Sequence, residues 1–263
     1  MQFDNETEKS MTKINKSIAT VIILFGVFFY TGCPDEKHRT IIFVIDMSAS
    51  TDPAGRAKAF QAVSGWFAQK KLKRGDKIVV IPITGDAWTE SQGLIKRFNI
   101  SEKREAYDAD LRRLESEMKQ QLEEMERTAA EKPYKHTDIF GALKLAAEEL
   151  AHENKNTKKT VVLLTDLIQD NAIGNFKAAV YLENQNTAVK QAQNASREQS
   201  NDFTDCTVFL GLLRSNDLKK LSPKRREALE AYWVEYFRQS KAIEVLTAVD
   251  GPGQVDQVLL DSR

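Results

Sequence analysis

Cysteine is nearly missing from this 263-residue chain, with Cys33 and Cys206 its two examples. That excludes a disulfide framework, and Cys206 opens an apolar run and reads as core. Histidine is as scarce. His38, His136 and His152 are scattered without metal-ligand spacing, which removes the usual zinc arrangements. An excess of one charge is also lacking, since Lys+Arg and Asp+Glu stand at 38 each. Bulk attraction to nucleic acid or to an anionic membrane is therefore not expected. Long apolar runs are absent but for residues 18–30, about 13 residues where a membrane span needs about 20.

What is present is ordinary globular material, 41% apolar and 29% charged, enough for one large α/β domain or two small ones. The apolar run follows Lys13 and Lys16, and Thr31 and Gly32 separate it from Cys33. This pattern resembles a bacterial lipoprotein signal, with Tyr30 where that family usually has Leu. The resemblance implies a signal peptide over 1–32, with Met11 an alternative start, lipidation of Cys33, and a polar tether over 33–39. An uncleaved anchor with an ordinary Cys33 is the competing reading, and a Cys33–Cys206 disulfide a third. Lysines before the run and Asp35 and Glu36 after it place the remainder on the exported side of a bacterial cell envelope.

The globular part of the chain is organised around residues 40–53. A β-prone run ends at Asp46 and passes into Ser48, Ser50, Thr51 and Asp52, as where a buried parallel strand emerges at its carboxyl end. Pro53 suits the first turn of a helix reaching about residue 70, through Ala57, Phe60, Val63 and Phe67. Further strands are expected over 77–84, 159–166, 206–213 and 242–249, with a short edge strand over 93–100. Pro82 cannot donate to a ladder, so its end of the second strand should be irregular or unpaired.

Helices are expected over 101–131, 137–150, 173–197 and 222–239. In the first, Tyr107, Leu111, Leu114, Met118, Leu122 and Met125 build one stripe, which suits packing on the sheet or, alternatively, pairing with another protein. The segment 173–197 should become a solvated Asn/Gln-rich end. Alternation of strand and helix predicts a mostly parallel central sheet covered by helices on both faces.

In such a sheet, Asp46, Asp166 and the loop carrying Thr137 should meet at one edge. Two carboxylates and the hydroxyls of Ser48, Ser50 and Thr137 form a hard oxygen set, suited to Mg²⁺, with Mn²⁺ or Ca²⁺ possible. The pattern resembles the von Willebrand factor type A (vWA) domain with a metal-ion-dependent adhesion site. Asp46-x-Ser48-x-Ser50 matches the family's first motif. Thr137 with Asp138, Ala142 and Leu143 matches its Thr motif, and Asp166 its later strand-end Asp.

The resemblance covers residues 40–251, with 101–131 as a long helical insert and 252–263 as a tail. It implies a single Rossmann-like domain. It also implies metal bound by the hydroxyls of Ser48, Ser50 and Thr137, with Asp46 and Asp166 acting through bound waters. The partner would be a protein presenting an acidic side chain. Leu167 departs from the pattern, standing where the family often has Gly. Asp86 and Trp88 are candidate rim residues, against a turn residue and a tucked-in ring. His136 reads as a loop residue, Asp138 as a helix cap and Asp170 as solvated.

The expected function is thus a non-enzymatic, membrane-tethered protein-binding module. Two alternatives remain. In one, the long helices act as a scaffold around a structural metal. In the other, Asp46 is a phosphohydrolase nucleophile, although Ser48 stands where phosphatases of the haloacid dehalogenase type need a second Asp. A serine hydrolase lacks both Gly-x-Ser-x-Gly and a placed base.

Overall fold

Strand β1 (Arg39–Asp46) lies at the centre of a six-stranded sheet, and every residue from Thr40 to Asp46 is buried. Its run of Ile, Phe and Val has the continuous apolar character needed by a strand covered on both faces. The computed structural model describes residues 38–57, 72–131, 134–171 and 173–247. The expected signal segment, Cys33, most of the tether, residues 58–70 of the helix expected after Pro53, and the tail lie outside them. Among the described residues no helix is long and apolar enough to cross a membrane.

The sheet order is β3-β2-β1-β4-β5-β6, with β2 Lys77–Ile83, β3 Lys96–Asn99, β4 Lys158–Thr165, β5 Cys206–Leu212 and β6 Glu244–Thr247. All neighbours run parallel except β3, which is antiparallel to β2. The fold is therefore a mixed, mostly parallel α/β sheet of the Rossmann-like kind. Pro82 pairs in register with Ile45 of β1, but the β3 ladder ends at Val80. The Pro82 carbonyl accepts from Ser91 Oγ at 2.7 Å, so the edge of β2 where a ladder N–H would be missed is closed by a side chain instead.

Helices cover both faces. They include α1 Ala87–Glu90, α2 Arg104–Glu131, α3 Ile139–Ala151, α4 Gln185–Gln199, α5 Asn216–Lys220 and α6 Pro223–Gln239, and residues 53–57 are helical as expected after Pro53. One core joins Ile42, Val44, Val79 and Ile81 to α3, α4 and α6. The other joins Ile41, Phe43, Ile45 and Val80 to α2. Alternate residues of β1 thus serve opposite cores, as period-two geometry requires.

The apolar stripe of α2 belongs to this second core. Leu114, Met118, Leu122 and Met125 are 5% exposed or less, and Tyr107 and Leu111 pack at its margin. At about 1.5–3 kcal/mol for each fully buried side chain, these four contribute roughly 6–12 kcal/mol of gross burial. The helix is a wall of the domain, and its apolar face is not available to a partner.

One expected helix is corrected. Residues 173–184 form turns and a short 3₁₀ turn, Ala179–Tyr181, and α4 begins only at Gln185. Asn171, Asn175 and Asn184 each accept backbone N–H groups ahead, a local alternative to helix. The Arg225 guanidinium collects the carbonyls of Phe176, Lys177 and Ala178. The Asn/Gln-rich stretch is itself helical, since Ala188, Ala192 and Ser196 make a small buried face.

Candidate metal centre

The site begins where β1 ends. Asp46 is fully buried, and its Oδ1 accepts the Ser48 N–H at 2.7 Å, which folds the chain back over the strand end. Ser48 Oγ lies 2.9 Å from Ser50 Oγ and 3.4 Å from Thr51 Oγ1. Ser50 Oγ reaches Asp166 Oδ2 at 3.4 Å, a contact at the long limit. Four of the five expected ligands, Asp46, Ser48, Ser50 and Asp166, therefore converge.

The loop is held from outside by Arg56, 6% exposed, whose Nη1 donates to the carbonyls of Ser48 at 2.8 Å and Thr51 at 2.9 Å. Its charge is spent on backbone oxygens. No basic nitrogen among the described residues lies within 4.0 Å of either the Asp46 or the Asp166 carboxylate.

Asp166 follows β4 and is also fully buried. Its Oδ1 accepts the Ile168 N–H at 2.9 Å. Burial, followed by the nearby Asp46 charge, pushes its carboxyl up to about 7, against a lowering by Ser215 and the Ile168 amide. Such a pair favours a proton or a cation between its members. The residues present thus fit a hard divalent ion. Ser48, Ser50 and Thr137 would hold it by hydroxyl oxygens, with both carboxylates facing it.

Thr137 reaches the same edge through its loop, although no side-chain hydrogen bond among the described residues joins it to the other four. The Ala49 N–H donates to Tyr134 O at 2.9 Å, and the Asp138 N–H to Thr84 O at 2.9 Å. Thr137 exchanges both backbone bonds with Asp170, at 3.1 and 3.0 Å. The loop is thereby stitched to the ends of β1 and β2 and to the segment after β4. Asp170 is not simply solvated, since it also pairs with Lys177.

Leu167 explains how a non-glycine residue occupies its place. Its φ is +63°, the left-handed region that glycine adopts without penalty. Leu167 is 3% exposed, and its carbonyl accepts Trp233 Nε1 at 2.8 Å. Burial and this bond offset the roughly 1–2 kcal/mol of backbone strain.

Asp138 caps α3, with Oδ1 accepting Gly141 N–H at 3.0 Å and Asn171 Nδ2 at 2.7 Å, and Oδ2 accepting Ala87 N–H at 3.1 Å. These bonds tie it to backbone and amide donors rather than to the carboxylate pair. A Cβ at Gly141 would sit 2.0 Å from Asp138 Oδ2, so the glycine makes room for the cap. Trp88 is half-buried, with Lys144 Nζ 3.6 Å from its ring centroid. Asp86 caps α1 and His136 is exposed.

Three supporting residues escape sequence reasoning. Thr165 Oγ1 donates to Asp46 Oδ2 at 2.7 Å and accepts the Leu167 N–H at 3.2 Å. Gln169, fully buried, accepts the N–H groups of Ile139 and Phe140 at 2.7 and 3.3 Å, docking the start of α3. Ser215 is fully buried beside Asp166 and caps α5. A Thr closing a strand and a Gln in a loop carry no pattern that signals these roles.

The structure is a Rossmann-like α/β domain with a cluster of oxygen-bearing side chains at the carboxyl edge of its sheet. Residues 41–169, just under half of the chain, match the model of the von Willebrand factor type A domain. No curated protein sequence matches the chain.

Among solved structures, proximal thread matrix protein 1 from the mussel byssus matches at 14% identity and TM-score 0.39, over 86% of this chain and 47% of that one. The pilus adhesin SpaC from Lactobacillus rhamnosus GG, in its open conformation, matches at 12% and 0.47, over 87% and 30%. The human COPII-coat protein Sec24c matches at 11% and 0.45, over 86% and 32%. The chain spans less than half the length of each of these proteins.

Proposed function

We propose that this protein is a membrane-tethered, divalent-metal-dependent protein-binding module of the bacterial cell envelope. The observation that carries the reading is the pair of fully buried carboxylates, Asp46 and Asp166, facing two serine hydroxyls with no basic group among the described residues to neutralise them. A buried charge without a partner costs several kcal/mol, so a cation at this place relieves the fold as well as serving a ligand. A bound Mg²⁺ supplies an electrophilic position for one anionic oxygen of a partner. An Asp or Glu side chain of another protein provides that oxygen.

The chain's own residues do the rest. Thr165 orients Asp46, Arg56 fixes the loop of Ser48 and Ser50, and the Asp170 pairing fixes Thr137. Asp46 has no exposed surface and no second Asp at position 48, which favours binding over phosphoryl transfer. Because the stripe of α2 is consumed by the core, the metal edge is a better partner surface than the helix.

Tethering rests on Cys33 and its signal-like leader, and diacylation there would supply the two chains that stable anchoring needs. Mass spectrometry of the mature amino terminus tests it. A modified Cys33 at the first position is expected, and an intact leader contradicts it. For the binding function, recovery of partners from envelope extract is compared in Mg²⁺, in chelator and with Asp46→Ala. Recovery that needs both Mg²⁺ and Asp46 is expected. Recovery indifferent to both refutes the proposal.

A further inference from the structure

Three segments meet at the candidate metal edge: the loop after β1, the loop carrying Thr137, and the connection from β5 into α5. The loop after β1 is joined to each of the others by backbone. Its Ala49 N–H donates to Tyr134 O at 2.9 Å, and its Asp52 N–H to Arg214 O at 3.0 Å. Thr51 also forms an isolated β-bridge with Ser215. The remaining side of this triangle, from the Thr137 loop to the start of α5, is spanned by a side chain. Lys177 Nζ donates to Asp170 Oδ2 and lies 3.0 Å from Asp217 Oδ2.

Each of these carboxylates leads to the site by a short path. Asp170 exchanges both backbone hydrogen bonds with Thr137. Asp217 stands in the first turn of α5, whose cap, Ser215, also bonds the Asp166 carboxylate. The lysine is itself held in place from behind. Arg225 Nη2 of α6 donates to the carbonyls of Phe176, Lys177 and Ala178 at 3.1, 3.2 and 3.3 Å, and the Phe176 N–H donates to Gln169 O at 2.9 Å. The Asp170 and Asp217 side chains are 14% and 18% exposed, so solvent screens these ion pairs less than fully exposed ones. Lys220 also pairs with Asp217, at 3.0 Å, and leaves Asp170 to Lys177.

Resting on the divalent-metal reading above, we propose that Lys177 is a positioning residue that closes this triangle and makes the site select Mg²⁺ over Ca²⁺. Mg²⁺ demands near-ideal octahedral geometry at about 2.0–2.1 Å, whereas Ca²⁺ accepts looser arrangements at about 2.3–2.6 Å. A braced Thr137 loop meets the stricter demand, and an unbraced one penalises Mg²⁺ more than Ca²⁺. Charge alone does not reproduce that effect. Removing an ammonium near the site raises the affinity for both ions by a similar factor, since both carry two charges. The ratio of the two affinities therefore reports position, and their common change reports the field.

The test uses the full chain in detergent, with calorimetric titration of Mg²⁺ and of Ca²⁺ into wild type, Lys177→Met and Lys177→Arg. The Lys177 side chain is 41% exposed, so its replacement leaves the core intact, and circular dichroism checks the fold. Lys177→Met should weaken Mg²⁺ binding about tenfold or more relative to Ca²⁺. Lys177→Arg keeps the charge and the donors and should hold the ratio within about twofold of wild type. Asp217→Asn should lower the ratio as well, and combining it with Lys177→Met should add little, because both break the same bridge. A metal-free readout accompanies these titrations. In chelator, the amides of Thr137 and Asp170 should exchange about fivefold faster in Lys177→Met and near the wild-type rate in Lys177→Arg.

A ratio unchanged in Lys177→Met, or two affinities that rise together, overturns the inference and leaves the metal reading intact. Unchanged amide exchange at Thr137 and Asp170 overturns it too, because the lysine then does not act through that loop. Wild type that binds neither ion overturns the metal reading, and the selectivity with it.

Discussion

Leu167 should invert the ordinary ranking of alanine and glycine. At an unstrained position glycine is less stable than alanine by about 0.5–1 kcal/mol, because its unfolded backbone has more freedom to lose. At φ +63° alanine bears a left-handed penalty of roughly 1–2 kcal/mol that glycine escapes. The two effects oppose, and the difference favours glycine by roughly 1 kcal/mol. Both variants lose a side chain that is 3% exposed in the core beneath α6, so both should be destabilised by about 2–4 kcal/mol relative to wild type.

Urea unfolding of Leu167→Ala and Leu167→Gly side by side measures the order, since the lost burial is nearly common to both. Leu167→Gly should be the more stable of the pair and should keep its affinity for divalent cation. Leu167→Ala coming out more stable by the usual margin would refute the left-handed turn after Asp166, and with it the explanation of how that carboxylate is presented.

The carboxyl of Asp166 stands at about 7 in the fold against 3.8 for the ordinary group. The folded state therefore holds a proton that the unfolded chain has released, and metal-free stability should fall as pH rises from about 4 to about 7. Urea midpoints in chelator at pH 5 and pH 8 should show the fall, and saturating Mg²⁺ or Asp166→Asn should flatten it. A midpoint rising with pH in chelator contradicts the assignment.

Gly141→Ala would normally gain about 1 kcal/mol inside a helix, yet here its Cβ meets Asp138 Oδ2 at 2.0 Å, so a loss of about 2–4 kcal/mol is expected in thermal unfolding. Thr165→Val removes the hydroxyl that orients Asp46. It should weaken divalent-cation affinity by about 10–100-fold in calorimetry with the fold retained, and an unchanged affinity would deny the threonine that role.

Much of this site is legible in the chain because its determinants are local. Six β-prone residues ending in Asp46-x-Ser48-x-Ser50 announce both a buried strand and the donors at its end, and β4 ending before Asp166 repeats the device. The stripe of α2 is legible for the same reason, since helical period alone selects Leu114, Met118 and Leu122 as its buried members. What is not legible depends on residues distant in sequence. Thr165 acts on Asp46 across 119 positions, and Arg225 rewrites a segment near residue 177 from 48 positions away. That distant capping, with the local turns of Asn171, Asn175 and Asn184, replaces an expected helix over 173–184 with turns. The conformation of Leu167 is equally hidden, because leucine carries no local preference for positive φ and is held there by its burial and Trp233.

On the proposed reading, Asp46, Ser48, Ser50, Thr137 and Asp166 make one divalent-cation site. Isothermal titration of Mg²⁺ and Mn²⁺ into the metal-stripped protein, for wild type and Asp46→Ala in parallel, tests it most directly. One ion per chain is expected for wild type and loss of that binding in Asp46→Ala, with the variant still folded by circular dichroism. Wild type that binds no divalent ion, or a variant that binds it equally well, would contradict the claim.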